Sequence, residues 1–143
     1  MNELVTRQGA IQYEVTGGGP TVLFLHSALA DHRQWCVQVD ALSHDYRCIT
    51  YDLLGYGSSD NASDNYDPAD TLLALLDHLE VGTVTLVGSS LGGSVSIHAA
   101  TRYPDRIRSI VLAGDFAPFF CTLAISFELM LILASFFSPV GWD

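Results

Sequence analysis

Apolar and polar positions follow two different periods along this chain. Residues 4–7 and 11–15 alternate with a period of two on either side of Gln8-Gly9, which predicts an antiparallel hairpin with one solvated face. Four later runs are short, mostly apolar and bounded by turn residues, which is typical of buried parallel strands. These runs are 21–25, 47–51, 84–87 and 107–113.

Three segments between these strands have helical spacing. Asp31 can cap a helix over 32–43 that places Trp35, Val39 and Leu42 on one face. Asp67-Pro68 starts a second, leucine-rich helix, and a third runs from Ser94 until Tyr103-Pro104 stops it. Strands that alternate with helices predict an α/β fold, a doubly wound and mostly parallel sheet that carries an N-terminal antiparallel hairpin.

The stretch 84–93 holds the most informative chemistry. An apolar run ends in the pattern G-x-S-x-G and a helix follows, so Ser90 is expected on a sharp strand-to-helix turn, where its hydroxyl can serve as a nucleophile. Gly88 and Gly92 would remove the β-carbons that collide where the strand and the helix meet. The alternative is a Gly/Ser-rich turn that only joins the two elements.

Charge and composition exclude several classes of partner. The chain has 16 acidic residues against six basic ones and a formal net charge of −10, which repels phosphate backbones and anionic bilayers. We therefore expect no nucleic-acid partner. A hydrophobic content of 49% over 143 residues is enough for a buried core.

The three cysteines, Cys36, Cys48 and Cys121, are odd in number and have no C-x-x-C spacing. They are interpreted as reduced packing residues, and the first ten residues contain no apolar signal core. Both observations favour a cytoplasmic protein.

Two possible ligand sites are discounted. No helix start follows the glycines 17–19, so a turn is favoured there over a phosphate cradle. A metal site built on His26, Asp31 and His32 would need a further histidine at position 28, where the chain has alanine. We expect neither a metal nor a cofactor.

With these residues assembled, the chain resembles the N-terminal part of the α/β-hydrolase superfamily, from about Gly9 to Gly114. The segments that carry the resemblance are FLHSALADHRQW, YDLLGYGSSD, VGSSLGG and YPDRIRSIVLAG, in that order. The first of them is most similar to the segment found in small-molecule esterases and enol-lactonases.

The resemblance implies a site as well as a fold. Ser90 would be the nucleophile, and the backbone N–H groups of Ala28 and Leu91 would form the oxyanion hole. His26 would order the oxyanion segment, in which Ser27 stands where the family usually has glycine. The implied substrate is a small carboxylic ester or lactone, which would be cleaved through an acyl-enzyme.

The resemblance also shows what is missing, because the family carries its acid and its catalytic histidine in late segments. The five histidines all lie at or before the helix that follows Ser90, and packing or solvent-facing roles are expected for His32, His44, His78 and His98. Asp115 is the remaining candidate acid; otherwise it is a loop residue that caps the next segment of the chain.

The sequence therefore divides into a hydrolase core over 1–115, lacking its last strands, and an apolar helical tail over 116–143. The segment Cys121–Phe137 has 17 residues and as a helix would span about 25 Å, short of a hydrocarbon core of about 30 Å. Glu128 near its centre also disfavours a membrane anchor. A lid or substrate-pocket helix is favoured, and a helix that packs on the last strand or pairs two chains there remains open.

Two functions are compatible with the sequence. One is a serine hydrolase whose chain lacks its histidine, and the other is a non-catalytic remnant or interaction module with the hydrolase scaffold. A sheet that ends at Ala113 would also expose unpaired backbone groups, which predicts self-association.

Overall fold

The computed structural model describes residues 1–113 and 132–133 of the chain. The strands within these residues form one sheet. The strand order is β1-β2-β4-β3-β5-β6-β7. The first two pairs of neighbours are antiparallel and the other four are parallel, which confirms the predicted mostly parallel sheet with its N-terminal hairpin. The strands are β1 Asn2–Thr6, β2 Gly9–Thr16, β3 Thr21–Leu25, β4 Arg47–Tyr51, β5 Val84–Ser89, β6 Ile107–Ala113 and β7 Ile132–Leu133.

Three α-helices connect the parallel strands: α1 Cys36–Leu42, α2 Pro68–His78 and α3 Leu91–Arg102. Short 3₁₀ helices precede α1 at His32–Trp35 and β6 at Pro104–Arg106. Asp67 caps α2 as predicted, since its side chain accepts a hydrogen bond from the N–H of Ala69.

The first predicted helix differs in detail from the structure. Asp31 caps it as expected, but its first turn is a 3₁₀ helix and the α-helix starts after Trp35, whose φ of −102° and ψ of 7° lie outside helical geometry. Trp35 packs on Phe24 of β3 with ring centroids 5.4 Å apart. Leu42 was predicted on the same buried face, but it is the last residue of α1 and is exposed.

The third predicted helix starts earlier than the sequence indicated. α3 begins at Leu91, whereas the low helix propensity of Gly92 and Gly93 favoured a start at Ser94. Both glycines are buried in the first turn, so tertiary packing overrides their propensity.

Helices cover the two faces of the sheet, and the connections that contain them run in opposite directions along the sheet. The β3–β4 connection moves one way along the sheet, while β4–β5 and β5–β6 move the other way. Right-handed crossovers then place α1 on one face and α2 with α3 on the other. Phe24 and Trp35 centre the smaller core on the α1 face, and Leu25, Leu75 and Leu86 belong to the larger core opposite.

The central strands bring three connecting loops to one edge. Leu25 at the end of β3 is paired with Gly88 of β5, and Phe24 is paired with Thr50 of β4. Because these strands are parallel, the residues that follow them emerge side by side at the carboxyl edge, which is where ligands bind in such sheets.

Beyond β6 the description is limited to β7, which pairs with Val111 and Leu112. The sequence predicted that β6 would have no neighbouring strand on its outer side. The two residues of β7 pair with β6 on that side. The proposed apolar helical tail over 116–143 otherwise lies outside the described residues, and so does Asp115. Over residues 1–113 and 132–133, the helices are all too short or too polar to cross a bilayer.

The larger core predicts that truncating a buried leucine lowers the free energy of unfolding more than truncating an exposed one. Leu75 of α2 is fully buried, so Leu75→Ala should lower the free energy of unfolding by about 2–5 kcal/mol in urea denaturation. Leu42→Ala on α1 is the matched control, because Leu42 is 36% exposed and should change stability by only about 0.5 kcal/mol. Equal losses from the two substitutions would contradict the assigned core.

Candidate active site

Ser90 lies at the junction of β5 and α3, and its backbone is strained. Its φ of 48° and ψ of −108° place a non-glycine residue in a region that L-residues rarely adopt. The residue is exposed and immediately precedes the N-terminus of α3. The turn therefore presents the hydroxyl to solvent, beside the positive end of a helix of 12 residues.

The two flanking glycines occupy positions that leave no room for a side chain. A Cβ on Gly88 would lie 2.4 Å from the carbonyl oxygen of Gly92, and a Cβ on Gly92 would lie 2.2 Å from the carbonyl oxygen of Leu25. Neither glycine has a positive φ, so crowding and not conformational freedom requires glycine at both positions. The backbones of β3, β5 and α3 approach one another closely at this point.

His26 joins the loop after β3 to its two neighbours. The ring is fully buried, its Nε2 accepts a hydrogen bond of 3.0 Å from the N–H of Leu53, and its Nδ1 lies 2.8 Å from the carbonyl oxygen of Ser27. An amide can only donate and a carbonyl can only accept, so the proton is on Nδ1. The His26 carbonyl accepts a hydrogen bond of 3.1 Å from the N–H of Gly92, which attaches the loop to the first turn of α3.

The two amides that the resemblance assigns to an oxyanion hole flank this last hydrogen bond. Ala28 lies two residues after His26, and Leu91 lies one residue before Gly92. Within residues 1–113 and 132–133, neither the N–H of Ala28 nor that of Leu91 has a hydrogen-bond acceptor. Oriented N–H donors without an acceptor are the kind of group that stabilises a developing oxyanion.

Asp52, directly after β4, organises the second loop. Its fully buried carboxylate accepts hydrogen bonds from the N–H and the Nδ1 of His32 at 2.8 and 2.7 Å, and from the N–H of Ser58 at 2.8 Å. A Cβ on Gly57, at φ 54°, would lie 2.1 Å from this carboxylate. Asp52 therefore joins the loop after β4 to the start of the 3₁₀ helix.

This connection is not evident from the sequence. His32 was expected to be a packing or solvent-facing residue, yet its side chain is only 14% exposed and is hydrogen-bonded to Asp52. The available signal was an aspartate placed directly after a buried strand, where a carboxylate must find donors. Its partner, 20 residues earlier, could not be identified from the sequence.

Asp31, His32 and Asp52 also bring their polar atoms within 4.8 Å of one another, as a metal site would require. Their atoms, however, already have partners. Arg33 lies 2.6 Å from Asp31, and hydrogen bonds from Arg33 hold the pKa of the Asp31 carboxyl well below its usual range. The geometry is that of a hydrogen-bonded connection between loops, and the expected absence of a metal stays a prediction.

The remaining histidines lie away from Ser90 or have other partners. His78 is 3.1 Å from the hydroxyl of Tyr13, and His98 is 3.1 Å from the carboxylate of Asp67, while His44 is exposed. In the part of the chain that the structure describes, no histidine is hydrogen-bonded to Ser90. A base for Ser90 would have to come from outside these residues.

The chain is similar in sequence and in fold to known proteins. A family model described as alpha/beta hydrolase fold matches residues 20–134. The chain is 38% identical over 112 residues to a 2-(acetamidomethylene)succinate hydrolase of Mesorhizobium japonicum, covering 76% of this chain and 40% of that protein. It is 36% identical over 107 residues to a pimeloyl-[acyl-carrier protein] methyl ester esterase of Nitrosomonas europaea, covering 74% and 41%.

A solved structure shows the same fold. An epoxide hydrolase from Vigna radiata superposes with a TM-score of 0.75 at 29% identity, over 80% of this chain and 39% of that one. The chain thus spans about two fifths of the length of these three proteins.

The crowding at Gly92 predicts an intolerant position. Gly92→Ala should destabilise the chain by at least about 3 kcal/mol in urea denaturation, because the new Cβ would meet the backbone of Leu25, which cannot move without breaking β3. Gly82→Ala is the control, since a Cβ there meets nothing within 4 Å, and it should be neutral or stabilise by up to about 1 kcal/mol. A Gly92→Ala chain as stable as Gly82→Ala would show that the backbones do not approach this closely.

Proposed function

The chain belongs to the α/β-hydrolase family, and from this premise we propose that it contributes Ser90 as the nucleophile of a hydrolase that cleaves a small carboxylic ester or lactone. The observation that carries the proposal is the strained, exposed position of Ser90 at the start of α3, together with the amides of Ala28 and Leu91, which have no acceptor among the described residues. This arrangement suits a reaction in which a negative oxygen develops next to a nucleophile.

The chemistry runs in two stages. The Ser90 oxygen attacks the substrate carbonyl carbon, its proton passes to a base, and the carbonyl oxygen becomes an oxyanion that the amides of Ala28 and Leu91 stabilise. Collapse of this intermediate breaks the bond to the leaving oxygen, which takes the proton back from the base, and an acyl-serine remains. Water then gives a proton to the same base and attacks the acyl-serine. Collapse of the second intermediate releases the acid, and the base returns the proton to the Ser90 oxygen.

Among the described residues, no side chain is positioned to act as the base or the acid for Ser90. The register places Ala113 of β6 beside Ser89 of β5, so Asp115, two residues further on, follows the strand next to the nucleophile. We keep Asp115 as the candidate acid on this ground. Residues 114–143 contain no histidine, so the catalytic histidine is proposed to come from another chain or from sequence beyond these 143 residues.

The choice of ester or lactone rests on the nucleophile and on the two amides. A serine oxygen that attacks a carbonyl gives a tetrahedral oxyanion, which is the charge that paired N–H donors stabilise. One of the similar proteins is a methyl ester esterase, which supports the same class. The net charge of −10 supports a small-molecule substrate over a nucleic acid, and the free thiols Cys36 and Cys48 support a cytoplasmic location.

A second candidate function is a non-catalytic interaction module with the hydrolase scaffold. The observation that favours it is the engagement of the histidines in other contacts, such as His98 with Asp67. Losing the histidine of a serine triad lowers turnover by about 10⁶-fold, leaving roughly 10³–10⁴-fold over water from the other groups.

Reaction with a fluorophosphonate probe separates the two functions. If Ser90 is activated, the protein should be phosphonylated at Ser90 within minutes, as read by intact mass and peptide mapping, and Ser90→Ala should reduce labelling to background. Ser94→Ala is the matched control, because Ser94 is an exposed serine one turn further along α3, and it should label within twofold of the unsubstituted chain. A folded protein that is not labelled would favour the non-catalytic module.

A further inference from the structure

The loop after β3 has one contact that the proposed reaction does not use. The Oε1 atom of Gln34, in the 3₁₀ helix, accepts a hydrogen bond of 2.8 Å from the N–H of Ser27 and one of 2.9 Å from its hydroxyl. Because an amide N–H can only donate, the Gln34 carboxamide has to present its oxygen to Ser27. The second bond exists only because position 27 is a serine and not a glycine.

Two hydrogen bonds hold Ser27 just before the amide of Ala28. Gln34 accepts one from the Ser27 N–H, and the Ser27 carbonyl oxygen, which belongs to the same peptide group as the Ala28 N–H, accepts one of 2.8 Å from the Nδ1 of His26. His26 is held by Leu53 and Gly92 on one side, and His32 is held by Asp52 on the other. Between Ser27 and Asp31, the only hydrogen bond among the described residues is a long one of 3.3 Å, from the N–H of Ala30 to the Ser27 carbonyl.

The residues that follow Ser27 have little packing of their own. Ala28 is exposed and Leu29 is 100% exposed with a φ of 64°. Packing of these side chains therefore does not restrain the peptide that carries the Ala28 N–H. Its orientation depends on the hydrogen bonds at Ser27, which are the one from His26 to the carbonyl and the two from the N–H and the hydroxyl to Gln34.

We propose that Gln34 is a positioning residue, which fixes Ser27 so that the N–H of Ala28 is aimed at the oxyanion formed by reaction at Ser90. The proposal rests on the proposed function and adds to it a residue that touches neither substrate nor nucleophile. Oriented donors stabilise a transition state because they need no rearrangement when charge develops. Loosening Ser27 should thus slow the chemical step and leave ground-state binding of the probe unchanged.

The test uses the fluorophosphonate reaction at Ser90, resolved into the maximal rate of phosphonylation and the apparent binding constant. Gln34→Leu removes the acceptor and should lower the maximal rate about 10- to 100-fold, with the binding constant within twofold. Gln34→Glu keeps an oxygen acceptor for both donors and should restore the rate to within threefold. Ser27→Gly keeps the backbone bond and should lower the rate only two- to fivefold.

Gln38→Leu is the matched control, because Gln38 is an exposed glutamine four residues further on, in α1, and its side chain makes no hydrogen bond to the described residues. It should leave both constants unchanged. Equal melting temperatures for the Gln34 and Gln38 variants would show that the loss of rate is not a loss of fold, and faster exchange of the Ser27 amide proton in Gln34→Leu would show that the contact is broken.

The outcomes are distinguishable. If Ser90 of the unsubstituted protein is labelled but Gln34→Leu reacts at the same rate, the positioning role is overturned and the proposed function stands. The same holds if Gln34→Glu reacts as slowly as Gln34→Leu. If the unsubstituted protein is not labelled, the proposed function fails and the positioning role fails with it.

Discussion

The close approach of three backbones is the constraint on which the site depends. At Gly88 and Gly92 there is no space for a β-carbon, because the carbonyl oxygens of Gly92 and Leu25 already occupy it. This contact forces the chain to turn sharply between β5 and α3, and Ser90 absorbs the turn with a positive φ. Strain of about 1–3 kcal/mol at such a residue persists only where the surrounding packing fixes it. Buried leucines of α2 and of the sheet supply that packing.

A second layer of the structure consists of polar contacts between loops. The His26 ring donates a hydrogen bond to the Ser27 carbonyl and accepts one from the N–H of Leu53 in the loop after β4. Asp52, in that same loop, accepts a hydrogen bond from the His32 ring at the start of the 3₁₀ helix. The side chains of His26 and Asp52 are fully buried, so each hydrogen bond forms where an unpaired polar group would be costly. The two loops are therefore held relative to each other by groups that have few alternatives, and Gln34 extends the same principle towards Ala28.

Local pattern was sufficient for β1 to β6 and for the turn at Ser90, but it missed β7, which lies in the segment predicted as a helix, and it failed where distant contacts decide. Period-two alternation, apolar runs and capping residues such as Asp67 identified the strands and helices, since these depend on neighbours in the sequence. The early start of α3 at Leu91 and the bond from His32 to Asp52 depend on residues brought together by folding. Gln34 carried no signal, because a glutamine on a short helix is ordinarily a solvated residue.

The arrangement separates two tasks that a serine hydrolase must perform. The contacts that position Ser90 and the amides of Ala28 and Leu91, the proposed nucleophile and oxyanion donors, lie within residues 1–113, whereas none of the histidines described there is hydrogen-bonded to Ser90. The first task is met by backbone crowding and buried hydrogen bonds, which form as the sheet folds. The second needs a titratable group with freedom to exchange protons, and four of the five histidines within residues 1–113 are engaged in other hydrogen bonds, as His26 and His32 show. Such a division lets the electrostatic part of a site be preorganised independently of its acid–base part.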